Sequence, residues 1–258
     1  MWNDVLTVLL VVSVISLFLG ILLALFIRFF GIEEDKKTKD IRAELPGINC
    51  GACGFKGCDD YAKSLAEGNT EPNRCIPGGT DVAAAIGDIL GVEVEPPSMM
   101  SAVVHCLGGC EKKAHYGGIE TCRARSMFFG GPEACIYGCV GCGDCAAACN
   151  VGAISVVNGV AVVDRSICIG CGVCAAACPR GIISMAPTEA KVRVLCSNKD
   201  RGAEAKKACS NACIGCKKCE KNCPSEAIKV INNCAVIDYD KCTDCGLCKD
   251  NCPTGCIK

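Results

Sequence analysis

Cys168-Ile169-Gly170-Cys171-Gly172-Val173-Cys174-Ala175-Ala176-Ala177-Cys178-Pro179 packs four thiols and a proline into one short loop. The spacing CxxCxxCxxxC recurs as Cys139, Cys142, Cys145, Cys149; as Cys213, Cys216, Cys219, Cys223; and as Cys242, Cys245, Cys248, Cys252. An inorganic cubane needs three thiolates from one tight loop and a fourth from elsewhere, and this spacing offers both. A disulfide framework has no use for it, and a zinc ribbon uses fewer cysteines per loop. The runs form two pairs with an internal offset of 29 residues, and the second pair is the first shifted by 74, so the segment is a tandem duplication.

Proline follows the fourth cysteine in three runs (Pro179, Pro224, Pro253), and Asn150 takes that place in the first. Within each pair an apolar strand, a turn and a second strand intervene: Ile154–Val157, Asn158-Gly159, Val160–Val163, and Ile228–Ile231, Asn232-Asn233, Cys234–Ile237. Asn-Gly between such runs signals a hairpin. The whole matches the pattern of bacterial two-cluster ferredoxins, in which the fourth cysteine of one run reaches the cluster of the other. That crossing gives four ligand sets: Cys139, Cys142, Cys145 with Cys178; Cys168, Cys171, Cys174 with Cys149; Cys213, Cys216, Cys219 with Cys252; and Cys242, Cys245, Cys248 with Cys223.

Upstream, Cys50-x2-Cys53-x4-Cys58-x16-Cys75 interleaves its thiols with Gly51, Gly54 and Gly57 and suits a fifth cluster on two small helices, Asp59–Glu67 and Asp81–Leu90. A structural zinc site is the competing reading of these four cysteines. Glu33–Asp40 before them reads as a charged linker, and Glu95-Pro96-Pro97-Ser98 after them as another.

From Val5 to Ile27 the chain is uncharged and apolar, longer than the roughly 20 residues that cross a bilayer. A cleaved signal peptide would need a basic start and a small-residue cleavage site, and neither is present. Positive charges follow at Arg28, Lys36, Lys37, Lys39 and Arg42, so the positive-inside rule leaves the remainder in the cytoplasm. Ser16, Gly20 and Ala24 lie four apart, a stripe on which another helix could pack as well as lipid.

Composition agrees with an assembly organised by sulfur. Cysteine supplies 28 of 258 residues while aromatics supply 5%, so large side chains cannot provide the missing cohesion. A net charge of −1 gives no polyelectrolyte argument for nucleic acid. Twenty cysteines are placed, leaving Cys106, Cys110, Cys122, Cys135, Cys196, Cys209, Cys234 and Cys256. A shift of 74 turns Cys122 and Cys135 into Cys196 and Cys209, whereas Cys234 and Cys256 correspond to Val160 and Ile182 and read as small core residues. Cys106, Cys110, Cys122 and Cys135 suit a sixth cluster, a structural zinc or plain buried thiols; His105 and His115 beside them read as ordinary hydrogen-bonding side chains.

The expected fold class is α+β: a single N-terminal transmembrane helix (1–30), a small helical 4Fe-4S domain (31–95), a cysteine-containing connecting segment (96–134), and two tandem bacterial two-cluster ferredoxin-like domains (135–190 and 191–258).

This order of parts, with LPG-x2-CGACG-x3-C at Leu45–Cys58 and Cys75-Ile76-Pro77-Gly78-Gly79 behind it, resembles the B subunit of the Rnf ion-translocating electron transport complex. It is similar to the longer form, with a doubled ferredoxin region. The resemblance implies 4Fe-4S clusters as cofactors, soluble ferredoxin as electron donor, and further membrane subunits bearing flavin as acceptors. It also implies a place in the cell inner membrane within a complex that reduces NAD and moves Na⁺ or H⁺. No catalytic residue is expected: the chain has no GxGxxG after a strand, no P-loop and no HExxH. Competing functions are a tethered polyferredoxin uncoupled from ion pumping, a reductant for a redox-sensing regulator, and the cluster domain of a corrinoid protein, the last lacking any cobalamin-binding region.

Overall fold

A computed structural model describes residues 2–30, 35–94 and 99–258. Helix α1 (Trp2–Phe30) contains the apolar stretch Val5–Phe26, long and uncharged enough to cross a bilayer. Its described Leu, Val, Ile and Phe side chains are exposed rather than packed on the rest of the chain. Apolar surface of that extent calls for lipid or a partner helix.

The stretch expected as a charged linker is instead helical from Lys36: α2 spans Lys36–Glu44. Its polar composition hid the reason, which is that Ile41 and Leu45 are buried, at 0% and 5% exposure, against two further helices. Glu33 and Glu34 lie outside the described residues, as does the Glu95–Ser98 linker. Helix α3 (Cys58–Ala66) contributes Tyr61 and Leu65, a 3-10 turn (Pro72–Arg74) follows, and α4 (Gly79–Leu90) contributes Ile86 before Gly91 ends it in the left-handed conformation. Ile86 is fully buried, and truncating it to alanine in so small a core costs about 2–5 kcal/mol.

The remainder is two similar units. In the first, β1 (Met100–Val104) pairs antiparallel with β4 (Ile183–Pro187) at its far end, so the segment read as a connector supplies a strand. Between them lie α5 (Cys122–Met127), α6 (Asp144–Ala147), the hairpin β2 (Ile154–Val157) and β3 (Val160–Val163), and α7 (Val173–Ala177). The hairpin register runs Ile154↔Val163 to Val157↔Val160, and Asn158 and Gly159 take φ of 50° and 76° at its tip, as a tight two-residue turn requires.

The second unit repeats the plan with α8 (Gly202–Ala208), α9 (Lys218–Lys221), the hairpin β5 (Ile228–Ile231) and β6 (Cys234–Ile237), and α10 (Leu247–Asp250). Here Arg193 and Leu195 pair with Lys258 and Cys256, the counterpart of β1 with β4. Each core is small and largely sulfur and methyl: Val104, Cys145, Ile154, Cys174 and Ile183 in one, Val194, Cys219, Ile228, Cys248 and Ile257 in the other. Cys234 and Cys256, expected as core residues, are buried at 7% and 1% exposure. The hairpins, the helical first module and the apolar helix give a mixed helix and strand architecture.

Candidate functional site

Each cysteine loop is shaped by residues that accept positive φ. Gly143, Gly172 and Gly246 sit between the second and third cysteines of their runs with φ of 88°, 75° and 81°. Lys217 holds the same place in the remaining run at φ 59°, a conformation a side chain disfavours. Gly141, at φ 78°, has no room for a Cβ, which would collide with Gly159 O at the hairpin tip. Short helices α6, α7, α9 and α10 begin just after these turns and bury Cys145, Cys174, Cys219 and Cys248.

Cys213, Cys216, Cys219 and Cys252 line one cavity, and Cys223, Cys242, Cys245 and Cys248 line another. In the first unit, Cys139, Cys145 and Cys178 line a cavity, while Cys142 lies beside Arg125 and within electrostatic reach of Cys122. Cys149 lies within electrostatic reach of Cys171 and Cys174, and Cys168 of both. In the helical module Cys75 is surrounded by Cys58, Cys50 and Cys53. Each of the two sets expected in the second unit thus lines a single cavity, while in the first unit Cys142 lies outside the cavity lined by Cys139, Cys145 and Cys178.

No three His, Cys, Asp or Glu side chains among the described residues converge tightly enough to hold a single metal ion. A tetrahedral zinc would need sulfurs about 3.8 Å apart, from Zn–S bonds of about 2.3 Å. Four thiols lining one cavity without converging on a single point suit a bulkier, polynuclear group instead. The electrostatics divide the thiols: hydrogen bonds from Cys234 and Cys256 hold Cys213 down to about 2. Burial first, then neighbouring thiolates, push Cys145, Cys174 and Cys219 up to about 11, and burial likewise raises Cys75. Several thiolates share such a pocket only when a cationic centre neutralises them, so loading a cluster releases protons.

Two arginines that the cysteine spacing did not point to shape the first unit. Arg125 on α5 places Nη1 3.7 Å from Cys142 Sγ, with Glu133 and Glu120 each 3.8 Å from its guanidinium. Arg180, directly after Cys178-Pro179, donates to Gly130 O, Cys135 O, Ile136 O and Gly138 O, tying down the loop that leads to Cys139. His105 joins the units, its Nδ1 donating to Val194 O at 2.6 Å while Nε2 meets Ser184 Oγ at 2.7 Å. Ile76, next to Cys75, reaches Gly170 in the first ferredoxin-like unit, and Cys50 lies within electrostatic reach of Cys171.

The leftover cysteines divide differently from the sequence expectation. Cys122 lines the cavity of Cys139, Cys145 and Cys178. The counterpart of Cys196 is Cys106: Cys196 Sγ accepts from Cys213 N and Asn198 N, and Cys106 Sγ accepts from Cys139 N and Gly108 N. A uniform shift of 74 misses this, because Cys106 and Cys196 differ by 90 positions while Cys135 and Cys209 differ by 74. Sixteen additional residues between Cys106 and Cys135, which include most of α5, make the difference.

Family models fit the same segments: a putative Fe-S cluster domain over residues 45–77, a 4Fe-4S dicluster domain over 138–182 and again over 167–227, and a 4Fe-4S binding domain over 235–258. The chain is 43% identical over 227 residues to the B subunit of the ion-translocating oxidoreductase complex of Methanosarcina acetivorans, covering 86% of each. The chain belongs to the family of Rnf-type B subunits. Within that family it is also 41% identical to the B subunit of the Na(+)-translocating ferredoxin:NAD(+) oxidoreductase complex of Acetobacterium woodii, over 94% of this chain and 74% of that one. It is 40% identical to the proton-translocating counterpart of Clostridium ljungdahlii, over 93% and 86%. Near-equal likeness to relatives named for different ions shows that overall identity does not single out the ion.

Proposed function

We propose that this Rnf-type B subunit is the iron–sulfur relay of a membrane-bound, ion-translocating ferredoxin:NAD⁺ oxidoreductase. The observation that carries the reading is a row of five four-cysteine groups, beginning beside a membrane-length helix and ending at the C-terminus. Bound 4Fe-4S clusters supply one-electron transfer over a wide range of potentials. The ligand sets are Cys50, Cys53, Cys58 and Cys75; Cys139, Cys142, Cys145 and Cys178; Cys149, Cys168, Cys171 and Cys174; Cys213, Cys216, Cys219 and Cys252; and Cys223, Cys242, Cys245 and Cys248. The protein holds these groups, screens most from water and donates hydrogen bonds to sulfur, as Ala153 N does to Cys149 Sγ and Ala102 N to Cys168 Sγ. The basic residues after α1 favour the cytoplasmic side for everything beyond it.

Soluble ferredoxin docks on the second unit in this reading. Cys216 and Cys245 are the two exposed cysteines of the chain, and residues 191–258 carry thirteen Lys and Arg against eight Asp and Glu. A cationic face beside an exposed cysteine steers an acidic carrier toward it. Lys217, retained at a position where three other runs have glycine, adds charge next to Cys216 at the expense of local backbone strain. The test is Cys171→Ala in the assembled complex: ferredoxin-dependent NAD reduction stops while α1 stays inserted. Full activity in that variant would remove Cys171 from the route.

A further inference from the structure

Between the two ferredoxin-like units lies another cysteine-lined cavity, besides the three within the units. Its thiols are Cys106, Cys110, Cys135, Cys196 and Cys209, none of them among the twenty already placed. They come from both units: Cys110 pairs with Cys209 in an isolated antiparallel bridge. Cys110, Cys135 and Cys196 all lie within electrostatic reach of Cys209, while Cys106 faces Cys110 and Cys139.

Asn198 argues that this is more than a packed seam. It is 1% exposed, its carbonyl accepts from Asp200 N at 2.7 Å, and its Nδ2 is aimed at Cys135 Sγ at 3.4 Å. A neutral thiol is a weak acceptor, so a buried amide donor is well used only on a thiolate. The Cys209 thiol lies 3.3 Å from Gly108 O, and Asn211 Nδ2 donates to the same carbonyl at 3.2 Å, so Cys209 can lose its proton without orphaning that oxygen.

We propose that Cys110, Cys135, Cys196 and Cys209 hold a further four-iron cluster that bridges the two ferredoxin-like units, with Cys106 forming the wall toward Cys139. The inference rests on the relay reading and completes it. Cys139 N donates to Cys106 Sγ at 3.3 Å on one side, and Cys213 N donates to Cys196 Sγ at 3.2 Å on the other. With Cys50 in electrostatic reach of Cys171, the row of cysteine groups then extends from the helical module to the C-terminal unit. An electron crossing this junction oxidises the cluster on one side and reduces the next, with no bond or proton moved.

The test is iron, acid-labile sulfide and zinc content of the full-length chain purified anaerobically in detergent, with EPR of the reduced protein. The proposal expects about twenty-four irons per chain where five clusters would give about twenty. It also expects the loss of about four irons in Cys209→Ala and in Cys135→Ala, with the ferredoxin-type signals kept, and none in Cys234→Ala. A wild-type count near twenty, unchanged iron in Cys209→Ala, or one zinc per chain overturns the bridging cluster and leaves the relay standing. A chain without iron overturns both. Should Cys209→Ala fail to fold, the wild-type count decides.

Discussion

Removing the Arg125 charge should make one cluster harder to reduce. Its Nη1 stands 3.7 Å from Cys142 Sγ, and the side chain is 15% exposed. Two unit charges about 4 Å apart interact by about 4 kcal/mol at an effective dielectric of 20. The electron added on reduction is spread over a whole cluster, about twice as far away, which halves this figure. Residual screening by water leaves about 1–2 kcal/mol, or about 40–90 mV for one electron, since about 59 mV corresponds to a factor of ten. A cation favours the reduced, more negative state, so Arg125→Gln lowers the midpoint by that amount and Arg125→Lys restores most of it. The fold should hold, because Glu133 keeps Arg180 at 3.8 Å. The assay is an EPR-monitored redox titration, with the affected signal identified by its loss in Cys142→Ala. A midpoint that stays put, or rises, in Arg125→Gln refutes the reasoning.

Burial holds His105 below its ordinary 6.5 although the Val194 carbonyl pulls the other way, so the folded state prefers neutral imidazole. Its stabilising contribution is complete above 6.5 and is lost as pH falls from there toward the lowered folded value; thermal melts should lose that slope in His105→Asn, and an unchanged slope speaks against a stabilising role for the buried imidazole between Val194 and Ser184. Lys217→Gly relieves a φ of 59°, raising stability by about 1 kcal/mol while slowing reduction by an acidic ferredoxin at low salt; a less stable variant contradicts the strain argument. In Gly170→Ala the new Cβ would fall 2.5 Å from Met100 O at a φ of +67°, costing at least about 1–2 kcal/mol. Faster hydrogen exchange over residues 45–77 should report the loosened contact with Ile76, and unaltered exchange would show that the two modules do not depend on this seam.

Much of this architecture could be read from local pattern. The hairpins at Ile154–Val163 and Ile228–Ile237 fall where alternation and the Asn turns put them, because both signals act within ten residues. The 4Fe-4S character of each pair was legible for the same reason: spacing in one loop, repeated at a fixed offset. What escaped depends on partners far along the chain. Strand β1 has meaning only beside β4, more than eighty residues later, and α2 looks like a linker until Ile41 and Leu45 find a core. Of the cysteines proposed to bridge the units, Cys110 and Cys135 stood out in the sequence, but their partners Cys196 and Cys209 did not, because the sixteen additional residues put Cys122, rather than Cys106, in line with Cys196. Arg125 and Arg180 carry no motif at all, and only the folded chain brings them to sulfur and to the loop before Cys139.

The exchange of fourth cysteines within each unit bears on how the protein is made. Cys178 stands with Cys139 and Cys145, while Cys149, from the run of those two, stands with Cys171 and Cys174. On the proposed ligand sets, the first cofactor inserted ties together the two halves that must meet before the second can be seated. Maturation of a unit becomes cooperative: under iron shortage a cell would hold fully loaded and empty units side by side, with few half-filled ones for proteases or oxygen to find.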